Sequence, residues 1–393
     1  MPKEKNSSKP SLVVGVTVGV SALSLLRGQL KWFEQNGWNV ILVSTPDLQA
    51  LQAAKRENVT LAGVPMDRSI APIKDIRALI QWIKILQKYR PDAVNVGTPK
   101  AALLGTIAAW LLRIPKRVYL VRGLRVEGTS GVLRWTLSTM ERITMYCATD
   151  VVFVSKSLAA EAAKRKLLAR KKSWTVGAGS SNGVDSEAIE SRLASIDRNE
   201  LRSELGFKST DLVVGFVGRI SSDKGVKTLL DALQDSKLEE NIHGLLIGAV
   251  EDESLAKEAD GLGSRCKRIP WTDDVWGYLP AMDILCLPTL REGFPNVVLE
   301  ASAAGVPVIT TRATGAVDSV VPEKTGYLID IGDSEELVRR LNALNADRSR
   351  LQQMGNAARK RTVEEFHPER IWEGFAEIIA GKENPSRADR VCL

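Results

Sequence analysis

Arg291-Glu292-Gly293-Phe294-Pro295-Asn296-Val297-Val298-Leu299-Glu300-Ala301-Ser302-Ala303-Ala304-Gly305-Val306-Pro307 is the stretch whose reading decides the fold. An apolar run, Asp283 to Leu287, precedes it, and a second, Val306 to Thr310, follows it. Between them lie a loop with Gly293 and Pro295 and then a helix-forming run. The order is strand, loop, helix, strand, the unit of a parallel sheet covered by helices. Pro295 suits a first helical turn because it has no N–H to leave unpaired. Free N–H groups at that turn favour a bound phosphate. Glu292 falls on the loop and Glu300 about five residues into the helix. Two acids at this spacing are a chance pattern in any charged chain. Flanked by Gly-Phe-Pro-Asn and Ala-Ser-Ala-Ala-Gly-Val-Pro, they suit an anionic, hydroxyl-rich ligand such as a nucleotide sugar.

Working outward, the same alternation recurs. Leu12–Val18, Val40–Ser44, Ala93–Val96, Val118–Val121 and Val151–Val154 read as strands. Ser24–Gln35, Ile73–Tyr89, Ala101–Leu112 and Arg134–Ala148 read as helices. The Gly-rich segment Gly177–Gly183 reads as a linker. A second series follows: strand Leu212–Val217, helix Gly225–Leu233, strand Gly244–Ile247, a short helix Asp274–Pro280, and the opening stretch. Helices Ser334–Asn345, Arg348–Phe366 and Glu369–Ala380 close the chain. At 393 residues there is material for two cores. The prediction is an α/β protein of two doubly wound domains, 1–183 and 184–368, facing a cleft, with ligands at the carboxyl ends of the strands. The polar tail, 382–393, is expected to be disordered.

Charge separates the halves. Residues 1–187 hold 28 Lys plus Arg and 13 Asp plus Glu, a net +15; residues 188–393 hold 26 and 34, a net −8. A basic amino half implies an anionic partner, a membrane surface or a phosphate-bearing acceptor. No nucleic-acid recognition motif is present, so nucleic acid ranks last. Four scattered cysteines, with Cys286 in an apolar run, fit a reduced cytoplasmic setting. Two histidines, His243 and His367, argue against a His-based metal site or a triad. Lys3, Lys5 and Lys9 before an uncharged run resemble a signal peptide, but no small-x-small cleavage site follows, and a first buried strand is the better reading. No apolar run approaches the roughly 20 residues of a membrane span. Val391-Cys392-Leu393 is not a prenylation box, its Cys being next to last.

Two further loops carry candidate chemistry. Val217-Gly218-Arg219-Ile220-Ser221-Ser222-Asp223-Lys224-Gly225 follows a strand and opens a helix. Arg219, a planar fork, and Lys224, a point charge, would bracket an anion. Two basic loop residues are more often a solvated surface. In Arg312-Ala313-Thr314-Gly315-Ala316-Val317-Asp318, Gly315 could bring backbone N–H groups to a phosphate or sugar. An ordinary strand-to-helix turn fits that segment equally.

Taken together, Gly218-Arg219…Lys224-Gly225, Glu292-Gly293-Phe294…Glu300-Ala301, Gly305-Val306-Pro307-Val308, Thr314-Gly315…Gly326 and Asn182-Gly183-Val184-Asp185 resemble family 4 of the retaining nucleotide-sugar glycosyltransferases, over essentially the whole chain. The resemblance implies the GT-B fold, two Rossmann-like domains facing a central cleft, with the helix at about 369–381 packed back on the first. It implies that Arg219 and Lys224 stabilise the donor diphosphate, UDP-linked in the narrower group, that Glu300 holds the ribose, and that Glu292 contacts the donor sugar near its reacting carbon. Gly218, Phe294, Asn296 and Gly315 complete the implied donor site. No metal or other cofactor is implied, consistent with the lack of an Asp-x-Asp pair, and retention implies front-face attack, with the departing phosphate oxygen assisting removal of the acceptor proton.

Leu25-Leu26-Arg27-Gly28-Gln29-Leu30, Thr98-Pro99-Lys100-Ala101 and Arg122-Gly123-Leu124-Arg125-Val126-Glu127 are similar to bacterial N-acetylgalactosaminyl- and related hexosyltransferases that extend polyprenyl-diphosphate-linked saccharides in capsule, O-antigen and protein-glycosylation pathways. Arg27, Lys100, Arg122 and Arg125 are thereby the implied acceptor-binding residues. Relatives commonly carry His where this chain has Gly97 and Arg122, which leaves the sugar preference open. A membrane-borne acceptor also gives meaning to Lys74–Arg90, a basic amphipathic helix. Its apolar side is expected on the sheet. Its cations, with Arg113, Lys116, Arg117, Arg134 and Arg142, are expected on an anionic cytoplasmic membrane face, a peripheral attachment. The competing readings are an epimerase or phosphorylase on the same fold, a transferase with a soluble acceptor, and an inactive membrane-bound scaffold. The intact acid and base sets argue against the first and last.

Overall fold

The computed structural model describes residues 9–67, 69–168 and 172–391. Lys3, Lys5 and Cys392, on which sequence expectations fell, lie outside the described residues. The chain divides into two compact units, 1–182 with 368–393, and 183–367.

The first unit is built on β1 (Ser11–Gly15), β2 (Asn39–Ser44), β3 (Thr60–Gly63), β4 (Ala93–Val96), β5 (Lys116–Val121), β6 (Asp150–Phe153) and β7 (Lys172–Val176). These strands are parallel, in the order β7-β6-β5-β4-β1-β2-β3. Their residues are mostly buried Val, Leu and Ile, as a sheet covered on both faces requires. The order reverses between β1 and β4. The loops leaving those strands part there, and such a switch point is where open α/β sheets bind ligands.

The second unit uses β8 (Leu212–Val217), β9 (Ile242–Ile247), β10 (Cys266–Ile269), β11 (Ile284–Leu287), β12 (Val308–Thr311) and β13 (Gly326–Ile329), in the order β10-β9-β8-β11-β12-β13. All pairs are parallel. Its switch point lies between β8 and β11. Phe216, Leu212 and Leu285 are fully buried around it, each contributing on the order of 1.5–3 kcal/mol by leaving water. The core places Cys286 out of solvent, and burial pushes its thiol well above the ordinary range.

Several expectations are corrected. The tail expected to be disordered forms a strand, β14 (Ala388–Arg390), antiparallel to β7. Its composition is polar, but main-chain pairing does not depend on composition, and the strand covers an otherwise open sheet edge. Glu377 fastens the approach, accepting from Ser386 N at 2.7 Å. The single helix expected at Ser24–Gln35 is two, Gly19–Leu25 and Gln29–Gln35. The chain breaks where Gly28 N turns to donate to Glu57 Oε1 at 3.0 Å. The short helix expected at Asp274–Pro280 is a 3-10 segment, Trp276–Ala281. Strands β3, β7, β10 and β13 escaped the sequence reading because polar residues or a glycine break their short apolar runs, as Lys267 and Arg268 do in β10 and Gly326 does in β13.

The helix Pro72–Tyr89 buries Ala78, Trp82 and Leu86, but its apolar side is not wholly packed. Ile73, Ile76 and Ile80 are exposed, because a parallel sheet covers only one stripe of a helix and the remaining isoleucines face outward.

Candidate active site

The β8 and β11 loops bring the acids and bases of the second unit together. Past β8 the chain runs through Gly218 and Arg219 into a 3-10 turn, Ser222–Lys224. At Gly225 φ is +68°, and a Cβ there would stand 1.7 Å from Pro288 O. Only glycine lets the β8 loop lie this close to the β11 loop. Thr289 Oγ1 donates to Asp223 O at 3.2 Å and Leu290 N to the same carbonyl at 3.0 Å. The two loops therefore form one floor at the switch point.

On that floor Lys224 Nζ donates to Glu292 Oε1 at 2.5 Å, both side chains being mostly buried. Arg219 pairs with Asp223 at 3.1 Å and with Glu251, which follows β9. Burial would raise the Asp223 carboxyl. The Ser221 hydrogen bond at 2.6 Å and the charges of Arg219, Lys224 and Arg291 outweigh it and hold the carboxyl below its usual range. Both cations thus sit among carboxylates at the carboxyl end of β8. A diphosphate carries the same kind of oxygen and could replace those acceptors.

A third loop locks the acid. Glu292 N donates to Thr314 O at 2.8 Å. Gly315 has φ +76°, and a Cβ would meet Gly293 O at 2.4 Å and Glu292 O at 2.5 Å. Phe294 packs on Phe366, ring centroids 5.5 Å apart, so it anchors the loop. The helix runs Asn296–Ala303 with Pro295 as its N-cap rather than inside its first turn. Glu300 is half-buried on that helix. The structure thus assembles Gly218, Arg219, Lys224, Glu292, Phe294, Asn296, Glu300 and Gly315 around the loops that follow β8, β11 and β12. Asp223 and Glu251 were missed as partners of Arg219; the spacing of Asp223 four residues after Arg219 was a signal available in the sequence. Among the described residues, no three His, Cys, Asp or Glu side chains cluster to hold a metal ion.

The acceptor candidates belong to the first unit. Arg27 is exposed at the helix break, its carbonyl accepting from Asn182 Nδ2 at 3.0 Å. Lys100 is held by Asp75 at 2.6 Å. Arg125 is exposed. Arg122 directly follows β5 and Gly97 directly follows β4. At the β1–β4 switch point Thr17 Oγ1 and Thr98 Oγ1 lie 2.8 Å apart, and Thr17 N donates to Thr98 Oγ1 at 2.7 Å. Sequence reasoning gave neither threonine a role.

The chain is similar to known proteins. Residues 197–361 match the family described as glycosyl transferases group 1, and residues 24–174 match the glycosyl transferase 4-like domain. The capsular polysaccharide biosynthesis glycosyltransferase CapM of Staphylococcus aureus is 36% identical over 364 residues, 91% of this chain and 93% of its own length. The UDP-Gal:alpha-D-GlcNAc-diphosphoundecaprenol alpha-1,3-galactosyltransferase of Escherichia coli is 27% identical over 76% of this chain and 78% of its own. Among solved structures, Anabaena HepE in complex with UDP superposes with a TM-score of 0.77 at 20% identity, over 94% of this chain and 99% of that one, a likeness of fold.

Proposed function

The chain belongs to the group 1 glycosyl transferases, two parallel-sheet α/β units of the GT-B class, and on that premise we propose that it moves a hexose or N-acetylhexosamine from a UDP-linked donor to a polyprenyl-diphosphate-linked saccharide in surface-polysaccharide assembly. The observation that carries this reading is the ion-paired floor at the β8–β11 switch point, Lys224 on Glu292 and Arg219 on Asp223 and Glu251. Donor binding exchanges these carboxylates for the diphosphate. Lys224 and Arg219 then face the oxygens whose charge grows as the sugar leaves, where preorganised cations act most strongly. Glu300 accepts from two ribose hydroxyls. Glu292, released from Lys224, faces the donor sugar. In a retaining course the departing phosphate oxygen takes the acceptor proton on the face the nucleotide leaves. The cationic pair supplies the charge that a metal ion provides elsewhere. The acceptor class rests on the Escherichia coli relative, whose acceptor is alpha-D-GlcNAc-diphosphoundecaprenol, and the donor on that relative together with the UDP held by HepE.

The first unit also supports peripheral membrane attachment. No helix among the described residues is long and apolar enough to cross a membrane. The first unit exposes a group of apolar side chains on three successive helices. Pro72–Tyr89 exposes Ile73, Ile76 and Ile80, and Gly131–Cys147 exposes Val132, Leu133 and Trp135. Pro99–Leu111, packed between them, exposes Trp110. Lys74, Arg77, Lys84 and Arg134 lie on the same helices. Apolar side chains interleaved with Lys and Arg suit the boundary of an anionic bilayer. Flotation with anionic vesicles tests this: salt-sensitive co-flotation is expected, and its absence would remove the membrane from the account.

A further inference from the structure

A groove at the ends of two helices of the first unit stands apart from the donor and acceptor candidates. Helix Gly131–Cys147 lends it Arg142, Ile143 and Tyr146, and the chain after helix Lys156–Lys164 lends it Lys166, Leu167 and Leu168. Its space is about 350 Å³, open on one side, within the roughly 300–1,000 Å³ of small-molecule sites. These helices end where β6 and β7 begin, so the groove lies at the amino end of the sheet. Lys224, Glu292, Arg122 and Arg125 all follow the carboxyl ends of strands.

The groove is apolar inside and its charges have one sign. Among the described residues its lining holds Arg142 and Lys166 and no carboxylate. Arg142 Nε donates to Lys166 O at 3.3 Å, which ties the two segments together. Trp110 packs on Tyr146, ring centroids 6.4 Å apart, and brings the end of helix Pro99–Leu111 alongside, with Arg113 just beyond it. The nearby acids are taken, Asp150 by Lys116 at 2.8 Å and Glu161 by Arg165 at 2.6 Å. Arg113, Arg142 and Lys166 form no ion pair among the described residues.

The backbone holds two of these cations at a cost. Arg113 has φ +54° and Lys166 φ +53°. Arg113 N donates to Trp110 O and Ile114 N to Ala109 O; Lys166 N donates to Ala163 O and Leu167 N to Ala162 O. This is the helix-ending turn in which glycine is the usual residue, because a Cβ is strained there. A cation gains from the carbonyl end of a helix, but less than the left-handed backbone costs. Glycine would end both helices better. Two cations at glycine positions beside one apolar groove point to an anion from outside the fold.

The groove also continues the face assigned to the membrane. Val132, Trp135, Thr139, Ile143 and Tyr146 recur at three- and four-residue steps and make one stripe of helix Gly131–Cys147. Val132, Trp135, Ile143 and Tyr146 are all exposed. Trp110 and Tyr146 suit the headgroup level of a bilayer, where such rings are enriched.

We propose that this groove holds one anionic phospholipid of the bilayer. Arg142 and Lys166 take its phosphate, Arg113 adds to the field, and Ile143, Leu167 and Leu168 lie against the first part of an acyl chain. The inference rests on the reading of the first unit as membrane-attached, and it adds a lipid site separate from donor and acceptor.

The test uses the full chain, vesicles of phosphatidylcholine with and without phosphatidylglycerol, and dihexanoyl phosphatidylglycerol below its micelle concentration as a soluble probe. Calorimetry should show one probe bound per chain, with dihexanoyl phosphatidylcholine and glycerol 3-phosphate at least tenfold weaker. Lys166→Gly should weaken the probe at least fivefold and raise the unfolding temperature, because the cation is gone and glycine suits the turn. A lysine that only caps its helix would leave probe binding alone. Ile143→Ser should weaken the probe at least fivefold with every cation in place. UDP affinity should stay at the wild-type value in both variants. Unchanged probe affinity in both variants overturns the proposal; co-flotation of the same variants with anionic vesicles would then leave membrane attachment standing. Equal binding of glycerol 3-phosphate overturns it by making the ligand a free phosphate. A dimer in solution that Lys166→Gly dissociates, with co-flotation unchanged, overturns it by giving the groove to a second copy. Wild-type chain that neither floats with anionic vesicles nor binds the probe overturns both the site and the membrane reading.

Discussion

Lys224 Nζ and Glu292 Oε1 stand 2.5 Å apart, brought together from loops 68 residues distant in sequence. They follow β8 and β11, neighbours in the sheet on the two sides of its switch point. The pair joins the residue assigned to the leaving group and the residue assigned to the sugar, so each is held in place by the other.

Removing the cation should therefore affect chemistry more than affinity. Lys224→Ala is expected to lower kcat by about 10²–10³, the scale of losing one preorganised charge-stabilising group, with a smaller change in donor KM. Steady-state kinetics on the donor check this, and wild-type turnover would reject the assignment.

Glu300→Ala should weaken nucleotide binding by about 1–3 kcal/mol, the scale of hydrogen bonds to a charged acceptor. A 2′-deoxy nucleotide should lose much of the same energy against wild type and little against the variant. Calorimetry with both nucleotides measures it. Equal binding of UDP by wild type and Glu300→Ala would remove the ribose role.

Gly315→Ala tests the lock on Glu292. With φ at +76° and a Cβ within 2.5 Å of two carbonyl oxygens, an alanine must displace the Glu292–Gly293 backbone. The left-handed conformation alone costs about 1–2 kcal/mol. Denaturant unfolding should show at least that loss, and turnover should fall further than stability alone explains.

Glu141 gives the fold a pH dependence. Burial raises its carboxyl to about 7, against a lowering hydrogen bond from Tyr119, whose hydroxyl donates to it at 2.9 Å. The folded chain holds that proton more tightly than the unfolded chain. The contribution is full below the unfolded pKa and is lost as pH rises to about 7. Glu141→Gln should flatten that part of the stability profile and gain on the order of 1–3 kcal/mol relative to wild type at pH 8. Thermal unfolding between pH 4.5 and pH 8 reads both effects.

Local pattern made much of this legible. The acids and bases of the second unit sit on loops bounded by apolar strands, and βα alternation puts all such loops at one end of a sheet. The contacts of Arg219 were not legible in full, because Glu251 reaches it only through the pairing of β8 with β9. Strand β14 was hidden by its polar composition. Ser24–Gln35 read as one helix because Leu26 and Leu30 keep helical spacing across the break between Gly19–Leu25 and Gln29–Gln35. Gly97 and Arg122 stood out as departures from relatives, yet their contact is tertiary, made by adjacent strands whose order no local signal fixes.

The central claim is acceptor-dependent sugar transfer at the Lys224–Glu292 floor. A panel of nucleotide sugars incubated with a polyprenyl-diphosphate-linked saccharide, and read by mass spectrometry, tests it most directly. The account predicts that one UDP-sugar extends the acceptor by a single sugar and releases UDP only when the acceptor is present, with chelator added. Conversion of the donor to an isomer without acceptor, or no extension with any donor while UDP still binds, would contradict it.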